Sequence, residues 1–521
     1  MKKKILSVIT VVLIAALVPT SLWGISRLQL KKENTNFIKG TWVETDWDKD
    51  NTFDPTDETL YHTIDFDSSK DFNLLCLTDI HYRNDGWYGT WAINYQNTQT
   101  DKDIKELVNE AKPDLIIATG DIETGSLNDK NYENFVKVMD EFKIPWTIVF
   151  GNHDAEHRAD KPAIMNILQN SKYCVFRQGP TNLGITKDRV VDENVYNENT
   201  DKYAGGLGNT VINLRDKDTG LIYYSIILAD TGDWQNMYSN MEAKNRLSVG
   251  ARPFSRVGAG LTDRQIEWYK WVIDGLSAYN KEKGGYTPET MFISHIGMKV
   301  LDYATILSQY ENNYDGEYSK TGFDNNDLPF HTEAEWSSPS DRPYTEYDSS
   351  DKQIKDNKEI SSKISAFKEN SIEKSGNDAL AQYWCLADNN KRQDYIDGKN
   401  PDYPAPKHID ELVNEISDGY KIHKQNDMFI SAVYEKGSTK RMVSGHNHCD
   451  GYEVTFDGIT YDSVVKTGNI YTDKECDMGN HGGTLFKIKS DGDKITIDSN
   501  ALYTQKHDYK SIRYVRPVED F

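Results

Sequence analysis

Three apolar, β-prone runs, Phe72–Thr78, Leu115–Thr119 and Trp146–Phe150, alternate with two stretches of helical period. The first stretch runs from Thr100 to Ala111, with Ile104, Leu107, Val108 and Ala111 on one face. The second carries Tyr132, Phe135, Val136 and Met139. Parallel strands need a helix-length crossover, so this alternation with short links specifies βαβ units. In such sheets ligands collect beyond the carboxyl ends of the strands. Each run ends there in a polar motif: Asp79-Ile80-His81, Gly120-Asp121 and Gly151-Asn152-His153-Asp154. A later run, Met291–Ser294, ends at His295, and Arg441–Ser444 leads into Gly445-His446-Asn447-His448.

These residue types carry a definite chemistry. Asp79 and His81 lie two apart where the chain leaves a strand, so both can reach one centre. Asp121 follows a glycine, and its two oxygens can each take one metal, which makes it the natural bridge. Asn152 offers a neutral carbonyl oxygen, and His153 is expected beside the site as a group that does not ligate metal. His295 and His446 add imidazoles to a second metal, and His448 can turn back to the first. Asp154 is expected to hold the His153 ring in one tautomer, the usual job of a group behind a ligand. Carboxylate, amide and imidazole ligands suit Mn, Fe or Zn, so two divalent ions of one of these elements are expected. A two-metal site clamps the attacking and leaving oxygens of an in-line displacement at phosphorus. The remaining histidines (His62, His157, His331, His408, His423, His481, His507) lack such context and read as surface or structural.

The bulk properties narrow the partners. A formal charge of −22 over 521 residues repels nucleic acid, so phosphate binding needs a local positive centre. Five cysteines without a Cys-x-x-Cys pair give no disulfide framework at this size and leave one or two unassigned bridges open. Lys2, Lys3 and Lys4 precede an apolar run from Ile5 to about Ile25, near the roughly 20 residues that span a bilayer. Residues 1–32 therefore read as an uncleaved signal-anchor or a signal peptide, and both readings export the rest. The expected location is the outer face of the cytoplasmic membrane, or outside the cell if the segment is cleaved. The membrane is expected to be touched through this segment alone.

Residues 33–70 read as a polar tether and lead-in strand. Residues 71–521 read as one domain, with an elaborated insertion at about 298–425 whose last helix carries Ile409, Leu412, Val413, Ile416 and Tyr420. Thr210–Leu214 and Leu221–Ala229 form a hairpin, and Thr262-Asp263-Arg264-Gln265 is a capping box that opens a helix. Short β runs within 452–502 are expected to close a second sheet.

The ordered set D-x-H, G-D, G-N-H-D, H and G-H-x-H resembles the calcineurin-like metallophosphoesterase superfamily over about residues 72–490. The resemblance implies an α/β fold: a four-layer αββα sandwich of two mixed β-sheets flanked by helices, with a dinuclear metal site at the strand C-terminal ends. It implies that Asp79, His81, Asp121 and His448 hold the first metal, and that Asp121, Asn152, His295 and His446 hold the second. His153 then acts on the phosphate or leaving group. Gly151-Asn152-His153-Asp154-Ala155-Glu156, Gly260-Leu261-Thr262 with Gln265 and Trp268, and Ser294-His295-Ile296 are similar to the purple-acid-phosphatase-like bacterial and fungal branch. Thr124 stands where the purple enzymes place an iron-binding tyrosine, so a tightly held ferric ion is not implied. Gly297 stands where the branch often has proline. The expected activity is hydrolysis of phosphate monoesters or diesters by a metal-bridging hydroxide. The alternative is a cell-surface binding or adhesion protein that keeps the metals only structurally, motivated by the aromatic-rich insertion.

Overall fold

The computed structural model describes residues 38–48, 53–84, 90–184 except 126, 156 and 157, 205–232, 261–301 except 299, 303, 304, 307, 399, 409–446, 448, 452–469, 481–491, 494–505 and 513–515. The amino-terminal apolar run and most of the 298–425 insertion lie outside them. Among the described residues no helix is long and apolar enough to cross a membrane.

In chain order the elements are β1 (His62–Phe66), β2 (Phe72–Leu77), α1 (Thr90–Ala111), β3 (Leu115–Ala118), α2 (Asn128–Asp140), β4 (Trp146–Ile148) and α3 (Lys161–Leu168). There follow β5 (Thr210–Asp216), β6 (Ile222–Ala229), α4 (Asp263–Glu282), β7 (Glu289–Ser294), α5 (Ile409–Asn426) and α6 (Met428–Lys436). The last are β8 (Thr439–Ser444), β9 (Tyr452–Phe456), β10 (Ile459–Ser463), β11 (His481–Asp491), β12 (Lys494–Gln505) and β13 (Arg513–Val515).

Two mixed sheets result. One has the order β12-β11-β2-β3-β4, the other β1-β5-β6-β7-β8-β10-β9-β13. The runs β2, β3 and β4 pair in parallel, as their helical crossovers require. In the second sheet β6, β7, β8 and β10 are parallel neighbours. The expectation that 452–502 closes a second sheet holds for β9 and β10 only. Strands β11 and β12 return to the first sheet, β11 pairing antiparallel with β2. Local β pattern fixes a strand's existence and leaves its neighbour to tertiary packing.

Side-chain alternation builds the layers. Along β2, Leu74 and Cys76 face the space between the sheets, while Leu75 and Leu77 face the helices. Along β6, Ile226 and Leu228 face inward, and Ile227 and Ala229 face the helices of the other side. The inward residues of both sheets form one apolar cluster, and each fully buried Leu or Ile in it contributes about 1.5–3 kcal/mol. Helices α1–α3 cover the first sheet and α4–α6 the second, which gives four layers, αββα. Helix α1 begins at Thr90 rather than Thr100. The capping box of α4 forms, with Thr262 and Gln265 satisfying each other's backbone.

Residues 38–48 are bound along the domain rather than hanging from it. Ile38 donates its amide to the Arg158 carbonyl at 2.8 Å, and Gly40 donates to Asp160 Oδ1 at 2.9 Å. Thr45 and Thr181 exchange bonds through backbone and side chain. Trp47 packs edge-on against Trp271, with the Arg264 guanidinium 4.9 Å from its ring centre.

Candidate metal centre

The carboxyl ends of both sheets bring the motif residues together. Asp79 and His81 follow β2, Asp121 follows β3 and Asn152 follows β4; from the other sheet His295 follows β7, and His446 and His448 follow β8. Two groups form, Asp79–His81–His448 and Asp121–His295–His446, the ligand atoms of each lying within 4.8 Å of one another. Asn152 joins the second, its Oδ1 3.1 Å from His295 Nε2.

The backbone is bent to aim these side chains. Asp79, His81, Asp121 and His446 all adopt positive φ, between 49° and 67°. That conformation is uncommon for residues other than glycine, and it clusters where surrounding structure over-determines the chain. Close approach does the rest. A Cβ on Gly120 would sit 2.5 Å from the His295 ring, and one on Gly151 would sit 2.2 Å from Asp121 Oδ1. Only glycine lets these loops meet at such spacing.

Hydrogen bonds fix which atoms face the centre. His295 Nδ1 lies 2.8 Å from the Thr119 carbonyl, so it carries the proton that it donates there and turns Nε2 inward. Asp121 Oδ1 accepts from the His153 amide at 2.8 Å. Its Oδ2 stands between the groups, 3.3 Å from His295 Nε2, 3.9 Å from His81 Nε2 and 4.0 Å from His153 Nε2. Asp79 Oδ2 accepts from Thr78 Oγ1 at 2.8 Å and from the His446 amide at 2.9 Å. Its Oδ1 lies 3.2 Å from His448 Nε2 and 3.5 Å from His81 Nε2.

Asp79 Oδ1 and Asp121 Oδ2 are buried and accept no hydrogen bond. Leaving a buried carboxylate oxygen unsatisfied costs on the order of 1–3 kcal/mol or more. His81 Nε2 and His448 Nε2 also face each other at 3.0 Å. Carboxylate oxygens and ring nitrogens gathered face to face in two such groups are what divalent cations satisfy, so the residues fit two of them. Burial lowers the His81 ring to about 4, and burial with the nearby His295 charge lowers His446 to about 3. Burial opposes the charge on His295 as well, but Asp121 and Asp79 outweigh it and push this ring up to about 9. Burial likewise acts against the charge on Asp79, yet His448 and His81 hold its carboxyl well below the usual range.

Asp154 does not hold the His153 ring. Its carboxylate accepts from the amides of Gly151 at 2.6 Å, Ile122 at 2.8 Å and Asp121 at 3.1 Å, tying the β3 and β4 loops together. A carboxylate beside turn amides satisfies backbone donors first, because those donors have no other partner. Burial and the neighbouring Asp121 charge push Asp154 up to about 6. His153 itself is partly exposed, its side chain 28% accessible.

Sequence reasoning passed over a second buried constellation. Lys161 and Asp230, both fully buried, pair at 2.8 and 3.0 Å. Asp230 directly follows the apolar β6, the same strand-end signal that marked Asp79 and Asp121. Lys161 has no comparable local signal. Of the arginines near the motifs, Arg158 pairs with Asp129 and Arg177 with Glu58.

Residues 72–248 match the family model described as calcineurin-like phosphoesterase. The chain is also similar to an uncharacterized protein of Schizosaccharomyces pombe, 23% identical over 248 residues that make up 46% of this chain and 38% of the relative. The match thus spans well under half the length of that curated relative. Among solved structures the chain is similar to a dimetal phosphatase from Danio rerio, with 10% identity, a TM-score of 0.36, and coverage of 84% of this chain and 99% of that one.

Proposed function

We propose that this chain, which carries a calcineurin-like phosphoesterase domain, is an exported enzyme that hydrolyses phosphate monoesters or diesters at the paired ligand groups. The observation that carries the reading is Asp121 Oδ2, which faces imidazoles of both groups and the ring of His153. Asp79, His81, Asp121 and His448 would hold one cation, and Asp121, Asn152, His295 and His446 the other. Such cations, when bound, supply Lewis acidity toward a phosphoryl oxygen and acidify water.

The chain's own groups then do the following. Asp121 is fixed through Oδ1 by the His153 amide, so Oδ2 keeps its place between the two groups. His295 is locked in one tautomer by the Thr119 carbonyl. His153 is the partly exposed imidazole beside Asp121, placed to hold a phosphoryl oxygen or give a proton to the departing oxygen. Such positioned proton transfer contributes about 10²–10⁴-fold. Export rests on the Lys2–Lys4 and Ile5–Ile25 pattern. The purple-acid-phosphatase-like branch rests on the Gly151–Glu156, Gly260–Thr262 and Ser294–Ile296 patterns, with Gln265 and Trp268.

The test is hydrolysis of nitrophenyl phosphate monoesters and diesters with Mn²⁺ added. Asp121→Ala and His153→Ala should each abolish or strongly reduce turnover. Undiminished turnover in both variants would end the assignment.

A further inference from the structure

The pair Lys161–Asp230 is buried, charged and unused by the proposed reaction. Lys161 occupies the first turn of α3, behind the capping side chain of Asp160. A cation at a helix amino terminus opposes the helix dipole, and burying it costs several kcal/mol before pairing. The chain nevertheless satisfies this pair thoroughly. Asp230 Oδ1 accepts from Lys161 Nζ and from the Gly232 amide at 2.9 Å, and Oδ2 accepts from Lys161 Nζ and from the Leu207 amide at 3.0 Å.

Its position gives it a role. The second ligand group draws Asn152 from the first sheet and His295 from the second. Between the sheets lie mainly apolar contacts, which attract without direction. Lys161 Nζ stands 5.3 Å from the ring centre of Phe150, two residues before Asn152. Asp230 follows Ala229, which is the register partner of Ser294, the residue before His295. The next residue, Thr231, accepts the Ile296 amide through Oγ1 at 3.3 Å. The ion pair thus links the side chain of Phe150, two residues before Asn152, to the backbone flanking His295. We infer that Lys161 and Asp230 are positioning residues for the second cation, an inference that rests on the two-cation reading above.

The test is a titration of metal-free protein with Mn²⁺ alone, free Mn²⁺ being counted by its EPR signal. Wild type should take up two equivalents. The paired substitution Lys161→Met with Asp230→Asn removes both charges at similar volume. It is placed in two backgrounds: His448→Ala, which leaves the second group complete, and His295→Ala, which leaves the first group without its neighbour. In the first background it should weaken Mn²⁺ binding about 10- to 100-fold, the usual effect of removing support behind a ligand. In the second the change should stay below about twofold, as expected of sites without shared partners. Equal effects in the two backgrounds, or none in either, would overturn the inference, since a merely structural pair makes no such distinction. If circular dichroism shows that the paired variant does not fold, Thr231→Val decides in the same backgrounds. Weaker binding confined to His448→Ala supports the role, and no difference overturns it. Uptake of fewer than two equivalents by folded wild type overturns the two-cation reading itself, an outcome read before any variant is made.

Discussion

The two ligand groups are braced by different physics. Behind the first, residues after β10 cross to the other sheet: Thr467 and Gly468 donate their amides to the carbonyls of Thr78 and Asp79 at 2.9 and 3.1 Å. Thr78 returns its amide to Thr467 Oγ1, and Asn469 Nδ2 reaches Asp103 Oδ2 on α1 at 2.7 Å. Most of these bonds use the backbone. Beside the second group, among the described residues, the crossing includes the bond of His295 Nδ1 to the Thr119 carbonyl and a buried ion pair, Lys161–Asp230. A ladder of backbone bonds spreads its contribution, so no single side chain carries much of it. A buried ion pair concentrates it, because removing one partner strands the other charge.

The largest effect should come from the residue proposed to serve both sides. Asp121→Ala should lower kcat/KM by about 10³-fold or more, because a metal clamp supplies several kcal/mol to the transition state. Steady-state kinetics with added Mn²⁺ checks this. Next, Lys161→Met alone should destabilise the protein by about 3–5 kcal/mol in urea unfolding, and more than the paired neutral variant does. Equal losses would mean that the buried charge is not the source.

Acidity separates the groups further. In metal-free protein His81 lies at about 4, below its ordinary 6.5. Its folded form binds protons less readily than its unfolded form, so stability from this ring is present above 6.5 and is lost as pH falls toward 4. The shift is worth about 3 kcal/mol. His295 is raised to about 9, so its contribution is full below 6.5 and is lost as pH rises toward 9. Urea midpoints of chelated protein should therefore fall as pH moves in either direction from about 6.5. His81→Gln should flatten the acid limb and His295→Gln the alkaline one. The smallest effect should come from Asn469→Ala, which removes a side-chain bond while the backbone bonds of Thr467 and Gly468 remain. Its cost should be about 1 kcal/mol by urea unfolding.

These contrasts also show what local pattern can carry. The residues of the two candidate groups were legible because each sits close to where an apolar run stops, and a strand's carboxyl end is where α/β sheets place their chemistry. The βαβ units of the first sheet followed from the alternation of β2, α1, β3, α2 and β4, while the four-layer arrangement was implied by the family resemblance. The return of β11 and β12 to the first sheet was not legible, since strand order across hundreds of residues leaves no mark in a short window. The role of Asp154 was misjudged for a related reason. Its sequence neighbour His153 drew the reading, while its true partners are the amides of Ile122 and Asp121 on another loop. Lys161 joins Asp230 across 69 positions, and nothing near Lys161 announces that partner.

The shared carboxylate is tested most directly by the EPR spectrum of protein loaded with two equivalents of Mn²⁺. Two ions bridged by Asp121 should give a spin-coupled signal that collapses to isolated Mn²⁺ lines, or to unbound metal, in Asp121→Ala. Isolated lines in wild type, or a coupled signal that survives in Asp121→Ala, would contradict a pair of cations joined through that residue.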